Sequence, residues 1–308
     1  MFESFPFVSV VHILVVLVAP PLLPGVINRV KAIFAGRRGQ PLLQTYYDIV
    51  KLIRKESVLS ETTTWVFLFG PVAAVSTGLL AALLVPLGNA SAPLSFEGDL
   101  ILLAYALALG RFFTMAAALD TGSAFEGMGA AREATYACLA EPALFLGLIA
   151  IARLTGGLSL DGMLGPALLH GWSVAAESLL LVLISWFVVL LVENCRIPFD
   201  DPNTHLELTM IHEVMVLDHS GPAFGMVLYG ASLKLFVFSA LVVRLAFPVR
   251  TGSEPLDWIV VLAGTIGVAV GVGVIESTLA RLRLTSIPAL LTGAGVLSLF
   301  GMILALVH

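Results

Sequence analysis

The sequence predicts an all-α polytopic membrane protein with about eight transmembrane helices and one amphipathic helix on the membrane surface. Hydrophobic residues fill 58% of its 308 positions and charged residues only 12%. Mean hydropathy is +1.00, whereas a soluble domain carries roughly 25% charged residues. The apolar residues also fall in runs that meet the ~20 residues a spanning helix needs. These runs are continuous rather than alternating, which excludes a strand barrel and leaves helices as the spanning element.

Taken in order, the spans are expected at residues 4 to 24, 64 to 86, 99 to 119, 135 to 153, 173 to 193, 222 to 247, 257 to 276 and 286 to 307. The first run lacks a basic leader and passes through Pro20, Pro21 and Pro24 without a small-residue cleavage site, so it reads as a mature span. No linker or low-complexity tract divides the chain, and 1–308 reads as one integral membrane domain. The loop after span one carries Arg29, Lys31, Arg37, Arg38, Lys51, Arg54 and Lys55, and later loops on that face add Arg132, Arg196, Arg281 and Arg283. The opposite face shows Arg153, Arg244 and Arg250. The basic face is therefore expected in the cytoplasm, with both termini outside. Within the first loop, residues 41 to 57 place Leu42, Leu43, Tyr46, Ile49, Val50 and Ile53 at helical spacing, the pattern of a surface helix that anchors the chain or docks a partner.

Between Glu193 and Gly221 the chain becomes polar, with Glu193, Asp200, Asp201, Glu207, Glu213, Asp218, three histidines (His205, His212, His219) and Arg196. Inside or at the ends of spans stand Arg111, Glu141, Glu193 and Lys234. Each such charge costs about 2.5 to 3.5 kcal/mol at a helix centre, so these residues are candidates for a buried polar path. The structural alternative is mutual neutralisation between helices. Glu141 is expected to be buried and to exchange protons. His212 and Glu213 begin like a zinc-binding HExxH, but the next histidine is His219, the wrong spacing. The seven-residue recurrence of His205, His212 and His219 would align them on one helical face, where solvated histidines are commoner than a metal site. No phosphate-binding loop follows a strand, and no nucleic-acid partner is expected. Two cysteines cannot hold a four-thiolate iron-sulfur cluster, so any redox chemistry belongs to partners.

Residues 27 to 56, INRVKAIFAGRRGQPLLQTYYDIVKLIRKE, resemble the basic loop and surface helix of the membrane subunit that complex I, the NADH:quinone oxidoreductase, shares with energy-converting hydrogenases. LDTGSAFEGMGAARE followed by LAEPALF, the RIPFDDPNTHLELTMIHEVMVLDHSG loop and IESTLARLRL extend the likeness over almost the whole chain, on the formate hydrogenlyase branch. The resemblance implies a non-catalytic subunit that docks a peripheral iron-sulfur and nickel-iron module on its cytoplasmic face and relays redox energy to proton or sodium translocation by antiporter-like subunits, in a prokaryotic inner membrane. It matches Glu141, Glu193, Asp200, Glu207 and Asp218 to acids of that family's coupling path; Glu213, Arg111 and Lys234 are expected to join them, and partner docking is expected at Arg37, Arg38, Asp120, Arg132, Glu133 and Arg196. The chain itself is expected to hold no cofactor or metal. Asn203 and His205 replace acids usual in the complex I loop, which leaves quinone binding open and favours the hydrogenase-like branch. A standalone proton- or sodium-coupled transporter and a purely structural anchor are the alternative functions.

Overall fold

A computed structural model describes residues 7–88, 91–200, 210–248 and 252–307, and among these every regular element is helical. The first span differs from expectation. It is a bent pair, α1 (Phe7–Val18) and α2 (Leu22–Phe34), meeting at 48°. Pro20 and Pro21 supply no N–H at the break, so carbonyls at the end of α1 lose their helical partners. Two tyrosines replace those partners: the Tyr229 hydroxyl donates to the Leu17 carbonyl at 2.9 Å, and the Tyr46 hydroxyl donates to that of Val18. The bend also puts Arg29 and Lys31 on α2, not in a loop.

The surface helix α3 (Gln44–Ile53) forms within the expected segment. It lies against α10 (Gly221–Ala246), where Gly225 lets Leu52 and Ile49 approach, while Val50 and Ile53 remain exposed. Next come α4 (Trp65–Leu84) and α5 (Asp99–Asp120), packed closely because Gly70 faces Ala117 and Gly110 faces Thr77. The following helix α6 (Ala124–Thr155) starts well before residue 135, and its 32 residues span about 48 Å at 1.5 Å each, more than the hydrocarbon core. Its first turns are helix-forming but polar, so hydropathy alone misses them.

Two short helices, α7 (Leu160–Met163) and α8 (Ala167–Val174), precede α9 (Ala176–Glu193). The expected span from 173 is interrupted at Ala175, whose φ of −137° and ψ of 51° are not helical. At its other end α9 stops after Glu193, where Cys195 adopts φ 48° and the Arg196 N–H closes the turn on the Leu191 carbonyl at 2.8 Å. The bundle is completed by α10, α11 (Glu254–Thr278) and α12 (Ile287–Val307). Among the described residues seven helices alone are long and apolar enough to cross a bilayer, and the bent pair makes eight. The most enclosed span is α10, 72% buried, against 28% for the last one.

Candidate functional site

Four of the helices meet around Arg111 of α5. This buried guanidinium puts Nη1 3.1 Å from Glu141 Oε1, Nη2 3.2 Å from Glu193 Oε1 and Nε 4.0 Å from Glu133 Oε1. Lys234 of α10 places Nζ 3.0 Å from the other Glu193 oxygen. Three carboxylates therefore share two cations, and Glu193, its side chain only 5% exposed, is the junction. Buried charge is tolerated in a low-dielectric interior only when paired in this way.

Glu141 departs from the sequence expectation of burial. Its side chain is 41% exposed. Within this cluster the enclosed carboxylates are Glu193 and Glu133, so Glu133 belongs to the bundle interior and not to a docking surface. Glu133 lies eight residues before Glu141 on α6; that spacing, near two helical turns, is the sequence signal that both approach one face.

Beside the cluster is a partly open cavity, whose wall includes Arg111, Glu133, Lys234, His212 and His219. The two histidines belong to the segment between α9 and α10, where the described residues form only a single 3-10 turn, Glu213–Val216. They do not share a helical face; the cavity brings them together. Glu207, like Asn203 and His205, lies outside the described residues.

The rest of this segment is pinned by its acids and by bases from neighbouring helices. Asp200 is buried; its Oδ1 sits 2.9 Å from Arg281 Nη2, and its Oδ2 accepts the N–H groups of Ile211 at 2.8 Å and His212 at 3.2 Å. Arg132 Nη1 donates to the Met210 carbonyl at 2.7 Å. Gly129 gives Val214 and Met215 room against α6. Glu213 is half-buried, and burial, then the charge of Asp200, push its carboxyl up to about 7 despite Arg196. Burial lowers His212 to about 4, helped by the positive charges of Lys234, His219 and Arg196. Asp218 is exposed, and its N–H donates to Glu126 Oε1 at 3.1 Å.

Of the residues expected at a docking face, Arg37 and Arg38 are exposed at the end of α2. The others serve the fold. Asp120 caps α4, accepting the N–H of Thr64 at 2.6 Å, the Thr64 hydroxyl at 2.8 Å and the Phe67 N–H at 3.3 Å. Arg196 lies 3.5 Å from Glu276 of α11, whose second oxygen is 2.8 Å from Lys31. This second buried network, like Glu126 and Arg281, escapes a reading of the sequence alone; Glu276 within IESTLARLRL is the available sign.

A family model described as NADH dehydrogenase matches residues 7–306. Formate hydrogenlyase subunit 4 of Escherichia coli is 33% identical over 292 residues, covering 92% of this chain and 93% of that protein. Hydrogenase-4 component C of the same organism is 33% identical over 275 residues, 87% and 86% of the two chains. A subunit of the NADH-quinone oxidoreductase of Rubrobacter xylanophilus is 28% identical over 207 residues, 67% and 61%. Among solved structures, a chain of the membrane-bound sulfane sulfur reductase, an archaeal respiratory membrane complex, superposes with a TM-score of 0.84 at 24% identity, covering 96% of this chain and 98% of that one, and so shares the fold.

Proposed function

Because the chain belongs to the NADH dehydrogenase subunit 1 family, we propose that it couples electron transfer in a peripheral redox module to ion translocation in neighbouring membrane subunits. It is a multi-pass membrane protein that anchors a respiratory-type complex, and its partners are other subunits of that complex. A hydrogenase-like module with iron-sulfur and nickel-iron centres would dock on the basic face around Arg37, Arg38 and the segment between α9 and α10. That face would be cytoplasmic in a prokaryotic membrane, with both termini outside.

One observation carries the reading: the charges run from the cavity to the partly exposed Glu141. Glu133 and Lys234 face the cavity, Arg111 and Glu193 form the junction, and Glu141 is partly exposed. A change of charge at the cavity end alters the field on Arg111 and Glu193, and through their ion pairs the field at Glu141. Antiporter-like subunits beside Glu141 would receive the change. No electron passes through this chain in the proposal; its carboxylates and bases only hold and move protons.

Docking is tested by isolating the complex through a tag on this chain and recording its composition and electron paramagnetic resonance spectrum. Companion subunits with reducible iron-sulfur clusters are expected. A chain that purifies alone and transports ions by itself in liposomes would overturn the proposal in favour of a transporter.

A further inference from the structure

His219 has no part in the ion-pair cluster, yet it is built into the same cavity. It is 7% exposed and lines the wall that also carries Glu133, Arg111 and Lys234. Among the described residues neither ring nitrogen completes a hydrogen bond, although the Phe67 backbone lies close enough to favour the protonated form. The ring is held by stacking on Phe67, with centroids 4.0 Å apart and planes inclined by 27°. A buried imidazole with both nitrogens unused is costly unless water or a ligand meets it. The cavity leaves about 70 Å³ for the centres of waters, room for several at ~10–15 Å³ each. On the chain side of His219 is the exposed carboxylate of Asp218.

We propose that His219 is a proton-transfer residue that passes protons between the Asp218 surface and water in the cavity holding Glu133, Arg111 and Lys234. Neutral imidazole has one N–H donor and one bare acceptor nitrogen. A proton arriving at the acceptor forms a new N–H bond while the opposite N–H bond releases its proton. One proton enters and one leaves, the ring is neutral before and after, and no electron moves. Reorientation or reverse exchange through water restores the first tautomer. Burial, which lowers the proton affinity of His219, keeps the neutral form needed for this exchange. His212, on the same wall and lowered to about 4, leaves His219 as the more basic histidine of the two.

This assignment rests on the coupling role proposed above and extends its path from the cavity to the outside of the loop. The test uses the intact complex in liposomes, measuring redox-driven proton translocation in H2O and in D2O. His219→Phe preserves an aromatic stack on Phe67 and removes proton exchange. Translocation is expected to fall on the order of tenfold or more, with a larger solvent isotope effect because proton transfer becomes limiting. An unchanged rate, or a reduced rate with an unchanged isotope effect, would overturn the assignment, the latter by showing that the ring only packs. If His219→Phe does not assemble, His219→Asn is judged by the same two readouts. Glu141→Gln run in parallel separates the two ideas: if it impairs translocation while His219 variants do not, only the histidine assignment fails; if neither impairs it, the coupling path itself fails.

Discussion

Helix α9 takes part in two regions that bury polar groups by opposite means. Along one side it meets α12 through a seam of hydroxyls: Ser178 donates to the Gly301 carbonyl at 2.6 Å, Ser185 to that of Ala294 at 2.7 Å, and Ser298 to Ser185 at 2.8 Å. Those groups are neutral, satisfied within the chain and closely packed, since Gly301 leaves no space for a Cβ against Ser178 and Val182. At its end the same helix presents Glu193 to Arg111 and Lys234 beside an open cavity. The seam can only hold helices together. The cluster holds ionisable groups with space for water beside them, as a coupling role requires. Stability and coupling are thus assigned to different parts of one helix.

The contrast breaks most severely at Arg111. Arg111→Met would leave Glu133, Glu141 and Glu193 without their shared cation, and removal of one partner from a buried pair costs about 3 to 5 kcal/mol. Loss of assembled complex is expected in size-exclusion profiles of solubilised membranes. Adding Glu193→Gln should recover part of the yield by removing the stranded charge; no recovery would mean that Arg111 acts by packing alone.

A smaller effect is expected where the cavity meets the loop. Glu213 has a folded pKa of about 7 against an ordinary 4.5, so its contribution to stability grows as pH falls from 7 to 4.5. His212 has the reverse sign: lowered from 6.5 to about 4, it removes stability as pH falls through that window. The two nearly offset in the native chain. Glu213→Gln should expose a loss of loop protection toward acid and His212→Gln a gain, each at most about 1.4 kcal/mol per pH unit. Hydrogen exchange across residues 210–220 at pH 5 and 7.5 reads both slopes, and equal slopes in the two variants would contradict the offset. The seam should respond least: Ser185→Ala is expected to cost about 0.6 kcal/mol, the average for hydrogen bonds between membrane helices, with proton translocation unchanged. A coupling defect in that variant would erase the distinction between the regions.

Apolar runs make the spans legible, because continuous hydropathy over some 20 residues has one inexpensive solution in a bilayer. The bend at Pro20 and Pro21 and the polar first turns of α6 are not legible, since one depends on tyrosines brought from α3 and α10 and the other on enclosure by neighbours. The cost of intramembrane charge picks out Arg111, Glu141, Glu193 and Lys234, and the structure brings those four together. It cannot tell which carboxylate is enclosed: Glu133 lies inside and Glu141 partly outside, a matter of helix rotation against partners. Loop charges are harder still. Asp120 caps a helix and Asp200 ties two loop ends together, roles that depend on residues 56 and 11 positions away.

The central claim is that Glu141 is the exit of a coupling path. Its most direct test is the number of protons translocated per electron in the reconstituted complex bearing Glu141→Gln, with assembly checked by composition. Electron transfer under uncoupled conditions is expected to persist while the proton-to-electron ratio falls toward zero. A ratio equal to that of the native complex would contradict the account and leave the chain as an anchor alone.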